Sequence, residues 1–73
     1  MKDFKKTISG IDFNFMAVKE RNDQIFRVTA DSQTFKMITD EEGTWGIWQQ
    51  VPRWIKDMEE ELANAIEEQE QQL

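Results

Sequence analysis

The chain has 73 residues, 38% hydrophobic and 33% charged, which fits one small domain and leaves no room for a second. It holds no cysteine and no histidine, so a disulfide framework, a thiolate nucleophile, a zinc–thiolate site and the usual neutral-pH base are all excluded. Nine basic against fifteen acidic residues give a net charge of −6, which argues against an electrostatic hold on duplex DNA or anionic lipid.

The first nine residues form a basic N-terminal segment with three lysines and one aspartate. No apolar run long enough for a signal peptide or a membrane span follows it, so a soluble cytoplasmic protein without membrane contact is expected.

From Gly10 to Gln50, apolar and β-favouring residues alternate with period two, interrupted by Asn22-Asp23, Asp31-Ser32 and Glu41-Glu42-Gly43. This predicts a meander of four strands over Ile11–Arg21, Gln24–Ala30, Gln33–Asp40 and Thr44–Gln49. A two-residue turn at Asn22-Asp23 sets Ala17 opposite Val28 and Phe15 opposite Ala30. A second two-residue turn, at Asp31-Ser32, sets Val28 opposite Phe35 and Phe26 opposite Met37. A three-residue loop with Gly43 in the left-handed position then sets Met37 opposite Ile47 and Thr39 opposite Trp45. All three turns select the same inner face: Phe13, Phe15, Ala17, Phe26, Val28, Ala30, Phe35, Met37, Trp45 and Ile47.

After Val51 the period changes. Pro52 suits a first helical position, where no N–H donor is needed. Trp54, Ile55, Met58, Leu62, Ala65 and Ile66 then form one helical stripe, predicting a helix over Pro52–Glu68 and a frayed polar tail over Gln69–Leu73. The stripe must bury itself on the apolar face of the sheet. The expected fold is therefore a two-layer α+β domain, a four-stranded antiparallel β-meander with one C-terminal α-helix packed on one face.

Chemistry would have to come from carboxylates, lysine, serine or threonine, and none stands in an activating pattern. Ser9 and Ser32 fall at loop positions. Asp40, Glu41 and Glu42 match no calcium loop and read as a solvated hairpin tip. Glu59, Glu60 and Glu61 occupy consecutive helical positions and point in different directions, so they do not make a cage. Gly43 and Gly46 lack the lysine and the following helix of a phosphate loop; Gly46 is expected to make room for a large neighbour, either Trp48 or the helix crossing above. No enzymatic activity, metal or cofactor is expected.

The outer sheet face is the informative surface. The predicted register places Asn14, Met16, Val18, Glu20, Ile25, Arg27, Thr29, Thr34, Lys36, Ile38 and Trp48 on it. A solvated sheet face normally reads polar, and here Met16, Val18, Ile25, Ile38 and Trp48 are expected to stand exposed together, with Lys36 across from Trp48 and Arg27 across from Val18 and Lys36. An aromatic side chain flanked by basic ones has the character of a binding hot spot. The expected partner-binding residues are thus Met16, Val18, Ile25, Arg27, Lys36, Ile38 and Trp48, used by a protein partner or a second copy in a homodimer, with Arg27 and Lys36 free to pair with Glu20 or with a partner's acids. Two other readings follow from the same sequence. One is an acidic helix side, Asp57, Glu60, Glu61, Glu67 and Glu68, docking on a basic partner as an inhibitor or nucleic-acid mimic would. The other is weak binding of single-stranded nucleic acid, with a base stacked on Trp48 between Lys36 and Arg27, which the net charge opposes.

Overall fold

The computed structural model describes residues 2–71. Five strands follow one another in chain order: β1 (Phe4–Ile8), β2 (Ile11–Glu20), β3 (Asp23–Ala30), β4 (Gln33–Thr39) and β5 (Trp45–Ile47). They form one antiparallel sheet in the order β1-β2-β3-β4-β5, a meander. Two helices, α1 (Arg53–Lys56) and α2 (Glu59–Gln71), complete a two-layer α+β domain of the class the sequence predicts.

The sheet has one strand more than expected. The segment assigned to a basic N-terminal extension forms β1, joined to β2 by a Ser9-Gly10 turn in which both residues have positive φ. Phe4 lies opposite Phe15 and Ile8 opposite Ile11, so the inner side of β1 extends the apolar face while Lys5 and Thr7 point outward. The Phe4 ring stacks on Phe15 with centroids 4.3 Å apart. Ser-Gly flanked by alternating residues is a hairpin signal in its own right.

The Asp31-Ser32 turn and the Gly43 loop match expectation. Asp31 and Ser32 both have positive φ, Gly43 has φ 83, and Val28 faces Phe35, Met37 faces Ile47 and Thr39 faces Trp45. The first long hairpin differs. Its turn is Arg21-Asn22, so Phe15 faces Val28 and Ala17 faces Phe26 rather than the pairs expected from Asn22-Asp23. A shift of two residues leaves every side chain on its own face and changes only its neighbours. It places small Ala17 across from large Phe26 inside, and it joins Val18 to Ile25 outside. These contacts outweigh the local turn preference and the strain of φ 56 at Arg21, on the order of 1 kcal/mol.

The core matches the expected inner face. Phe13, Phe15, Phe26, Val28, Ala30, Phe35, Met37, Trp45 and Ile47 are buried, with Ala17 half-buried against them. From the helical layer Ile55, Leu62, Ala63, Ala65 and Ile66 are buried, while Trp54 and Met58 pack half-buried at the margin. The single predicted helix is broken at Asp57-Met58, where the Met58 N–H bonds to the Ile55 carbonyl in a tightened turn before Leu62 bonds to Met58. Pro52 is the N-cap of α1 (ψ 149), one position earlier than expected. The break lets α2 start afresh, with Glu59, Glu60 and Glu61 in its first turn, where the helix dipole favours acids. It also continues regularly through Gln69 to Gln71, in place of a frayed tail there; Gln72, Leu73 and Met1 lie outside the described residues.

Candidate interaction surface

The helices cover the inner face and leave the outer face open. In the observed register Met16 lies across from Arg27, and Arg27 across from Lys36. The next line of side chains holds Val18 across from Ile25, then Ile38, which lies across from Gly46. Three apolar side chains are therefore grouped in the middle of the face.

A salt bridge closes that group. Lys36 Nζ donates to Glu20 Oε2 at 2.6 Å, joining β4 to β2, and in this register the line between them passes over Ile25 on β3. Ile25 is only 4% exposed, and Val18 and Ile38 are half-buried. The bond from Lys36 holds the Glu20 carboxyl below its ordinary value, reinforced by the charges of Lys36, Arg27 and Arg21 against some desolvation. The expectation that five apolar side chains stand exposed together is corrected: Ile25 is buried, and Val18 and Ile38 are half-buried. Beside it a hollow of about 330 Å³ is lined by Glu20, Arg21, Asp23, Gln24, Ile25, Ile38 and Thr39, mostly polar groups.

What stays open lies at the two flanks. Met16 is 48% exposed and Trp48 is 64% exposed, the large hydrophobic side chains left in water among the described residues. Arg27, exposed between them, has no ion-pair partner among the described residues, and its expected neighbour Val18 is replaced by Met16.

Trp48 departs from its predicted setting. β5 ends at Ile47, two residues short of the expected strand, and the Lys36 N–H is bonded by the side-chain oxygen of Gln49 at 3.1 Å. A side-chain amide thus replaces the next rung of the ladder, and Lys36 itself is turned toward Glu20. An added Cβ at Gly46 would meet Glu59 Oε2 from α2 at 3.4 Å and the Trp48 indole Nε1 at 3.5 Å, so this glycine makes room for both. Trp48 lines a cleft of about 360 Å³ with Asp40, Glu41 and Glu42. Its neighbours are thus acidic where basic ones were expected. Asp40 is occupied in shaping the loop, its Oδ1 accepting the Glu42 and Thr44 N–H groups at 2.8 and 3.0 Å, while Glu41 and Glu42 are exposed.

The helical side divides differently. Asp57, Glu60, Glu61, Glu67 and Glu68 are exposed as expected, with Glu68 reaching Lys6 at 3.8 Å. Glu59 turns toward the sheet, where its Oε2 accepts the Ile47 N–H at 2.7 Å and its Oε1 lies 3.0 Å from Lys56 Nζ. The Ile47 N–H, then Lys56, hold this carboxyl below its ordinary value against desolvation. The function of Glu59 as a cap on the edge strand has no signature in a run of three glutamates. Among the described residues no group of three or more acidic side chains is arranged to hold a metal ion, and no helix is long and apolar enough to cross a membrane. Comparison of the chain with protein families, curated proteins and solved structures finds no match.

Proposed function

We propose that this chain is a non-catalytic cytoplasmic interaction module that docks on a protein, itself or another, through the open face of its sheet. The observation that carries this reading is the 64% exposure of Trp48 on the face that the helices leave uncovered. A tryptophan in water forgoes much of the stabilisation its burial would give, and aromatic and arginine side chains dominate binding hot spots. Met16, Arg27 and Trp48 supply the contact. Val18, Ile25, Lys36 and Ile38 support it from beneath, through the apolar group that Glu20 and Lys36 close.

The acidic side of α2 supports a second reading, since Glu60, Glu61 and Glu67 are exposed without an ion pair among the described residues. Capture experiments separate the two. Tagged wild-type, Trp48→Glu and Glu60→Lys/Glu61→Lys chains are used as bait, with the untagged chain and a cell lysate as prey, at low and high salt. Loss of capture with Trp48→Glu alone, largely insensitive to salt, is the expected result. Loss with the helix variant alone, steeply salt-dependent, transfers the function to the acidic side.

A further inference from the structure

The two edges of the sheet end differently. At β5 the Ile47 N–H is taken by Glu59 of α2. At β1 nothing among the described residues plays that part. The Ser9-Gly10 turn, with positive φ at both positions, makes Ile8 and Ile11 a hydrogen-bonded pair, so Phe4, Lys6 and Ile8 aim their backbone groups at β2. Lys5 and Thr7 therefore aim theirs away from the sheet, and these N–H and C=O groups have no partner among the described residues.

The free groups open into a groove of about 400 Å³. One wall is β1 at Lys6, Thr7 and Ile8; the other is α2, where Glu61, Ala65 and Glu68 follow one another along one side of the helix. Lys6 Nζ lies 3.8 Å from Glu68 Oε2, which leaves Glu61 as the acid of the groove without an ion pair among the described residues. The apolar residues of the lining are Ile8 and Ala65.

We infer that this groove takes an extended peptide segment of another protein as an added strand beside β1, with a lysine or arginine of that segment directed at Glu61. Addition of a strand to an open edge draws its affinity from backbone hydrogen bonds and its selectivity from alternate side chains. In the added strand the residues bonded to Lys5 and Thr7 share their outward direction, and the residues between them face α2. Those facing α2 meet Ile8, Ala65 and Glu61, a setting for aliphatic side chains and one base. A second copy of β1 is a poor occupant, because antiparallel pairing centred on the strand sets Lys6 against Lys6. The groove lies at the opposite edge of the sheet from the chain at Trp48, so it is a site separate from the proposed docking face.

The probe is a fluorescein-labelled peptide, Thr-Val-Thr-Arg-Thr-Val-Thr, titrated with the whole chain and followed by polarisation and by amide hydrogen exchange. Saturable binding below about 1 mM is expected. Near saturation, exchange should slow at least about fivefold at Lys5 and Thr7, and stay unchanged at Lys6 and Ile8, which already bond to β2. N-methylation of the two threonines flanking the arginine removes the donors that face β1 and should abolish binding. N-methylation of the arginine and valines, whose N–H groups face away, should be tolerated. Glu61→Lys, at an exposed position where circular dichroism should show an intact fold, should weaken binding at least about threefold, and a peptide with glutamate in place of arginine should recover it. Trp48→Glu should bind as wild type does.

Absence of binding, equal effects of the two methylations, or no rescue by the glutamate peptide overturns the inference. Exchange at Lys5 and Thr7 that the peptide leaves unchanged, or that is already slow without it because the chain or a second copy fills the edge, overturns it as well. Loss of peptide binding in Trp48→Glu would move the peptide to the outer face. Failure at the groove leaves the outer face standing, because that reading turns on Trp48 alone.

Discussion

The two faces of this sheet are made from the same five strands and solve the problem of apolar side chains in opposite ways. On the inner face, aromatic residues from all five strands are covered by a second layer: Phe26 touches Phe4, Phe15 and Trp45 with ring centroids 5.3–6.2 Å apart, Phe35 joins them from β4, and Leu62 and Ile66 close over the cluster. On the outer face the described residues form no second layer, and the apolar residues are dealt with one at a time. Val18, Ile25 and Ile38 are brought together by register and covered by an ion pair; Met16 and Trp48 are left in water. A long charged side chain can cover a small apolar group because its methylene stem packs while its head stays solvated. It cannot cover an indole standing at the edge of the sheet. The difference teaches that an apolar outer face is not uniformly exposed, and that its solvent-facing apolar surface is concentrated where no side chain reaches across.

The strongest challenge to this comparison is truncation on each face. Phe26→Ala should destabilise the chain by about 3 to 5 kcal/mol, because a large buried side chain leaves a cavity. Ile25→Ala, on the opposite face, should cost about 2 kcal/mol, and Met16→Ala less than about 0.5 kcal/mol. Urea unfolding of the three variants measures the order. If Ile25→Ala costs no more than Met16→Ala, the ion pair over Ile25 seals nothing.

A smaller effect probes the join between the layers. Glu59→Ala should cost about 1 kcal/mol, since it strips an acceptor from the Ile47 N–H at the sheet edge. The same bond has a pH signature. The folded carboxyl titrates below its ordinary value of 4.5, so its contribution is full above 4.5 and is lost as pH falls through the lower, folded value. Melting temperatures between pH 3 and pH 7 should fall more steeply at the acid end for wild type than for Glu59→Gln. Equal slopes would mean that the Ile47 bond is not held by a charged carboxylate.

The smallest effect belongs to Glu20→Gln. Both members of its pair are substantially exposed, so melting should shift only slightly in dilute buffer and not at all in about 1 M salt. Amide exchange at Ile25 is the sharper readout, and it should speed up relative to Phe26.

Much of this arrangement is legible in the amino-acid sequence, and the exceptions share a cause. Alternation identifies the inner face because the inward-turned residues that become buried are all apolar, and a register shift of two residues does not disturb it. The same shift is invisible to alternation, and it decides whether Ile25 faces Val18 or Glu20, hence whether the outer apolar group is open or closed. β1 escapes notice because lysines at positions 5 and 6 disguise the Phe4 to Ile8 alternation, although Ser9-Gly10 marks the turn. Trp48 is read as the next rung of β5, whereas the strand ends at Ile47 and Gln49 takes over the hydrogen bond; a side chain replacing a backbone partner leaves no period to detect. Glu59 is likewise hidden among identical neighbours, its function set by where α2 restarts.

The measurement that tests the central claim most directly is the solution mass of wild type and Trp48→Glu over a rising series of concentrations, with circular dichroism confirming equal folding. The account predicts a mass that climbs above 8.7 kDa with concentration for wild type and remains at 8.7 kDa throughout for Trp48→Glu. An association that the substitution leaves intact would show that the exposed indole is not where this molecule binds.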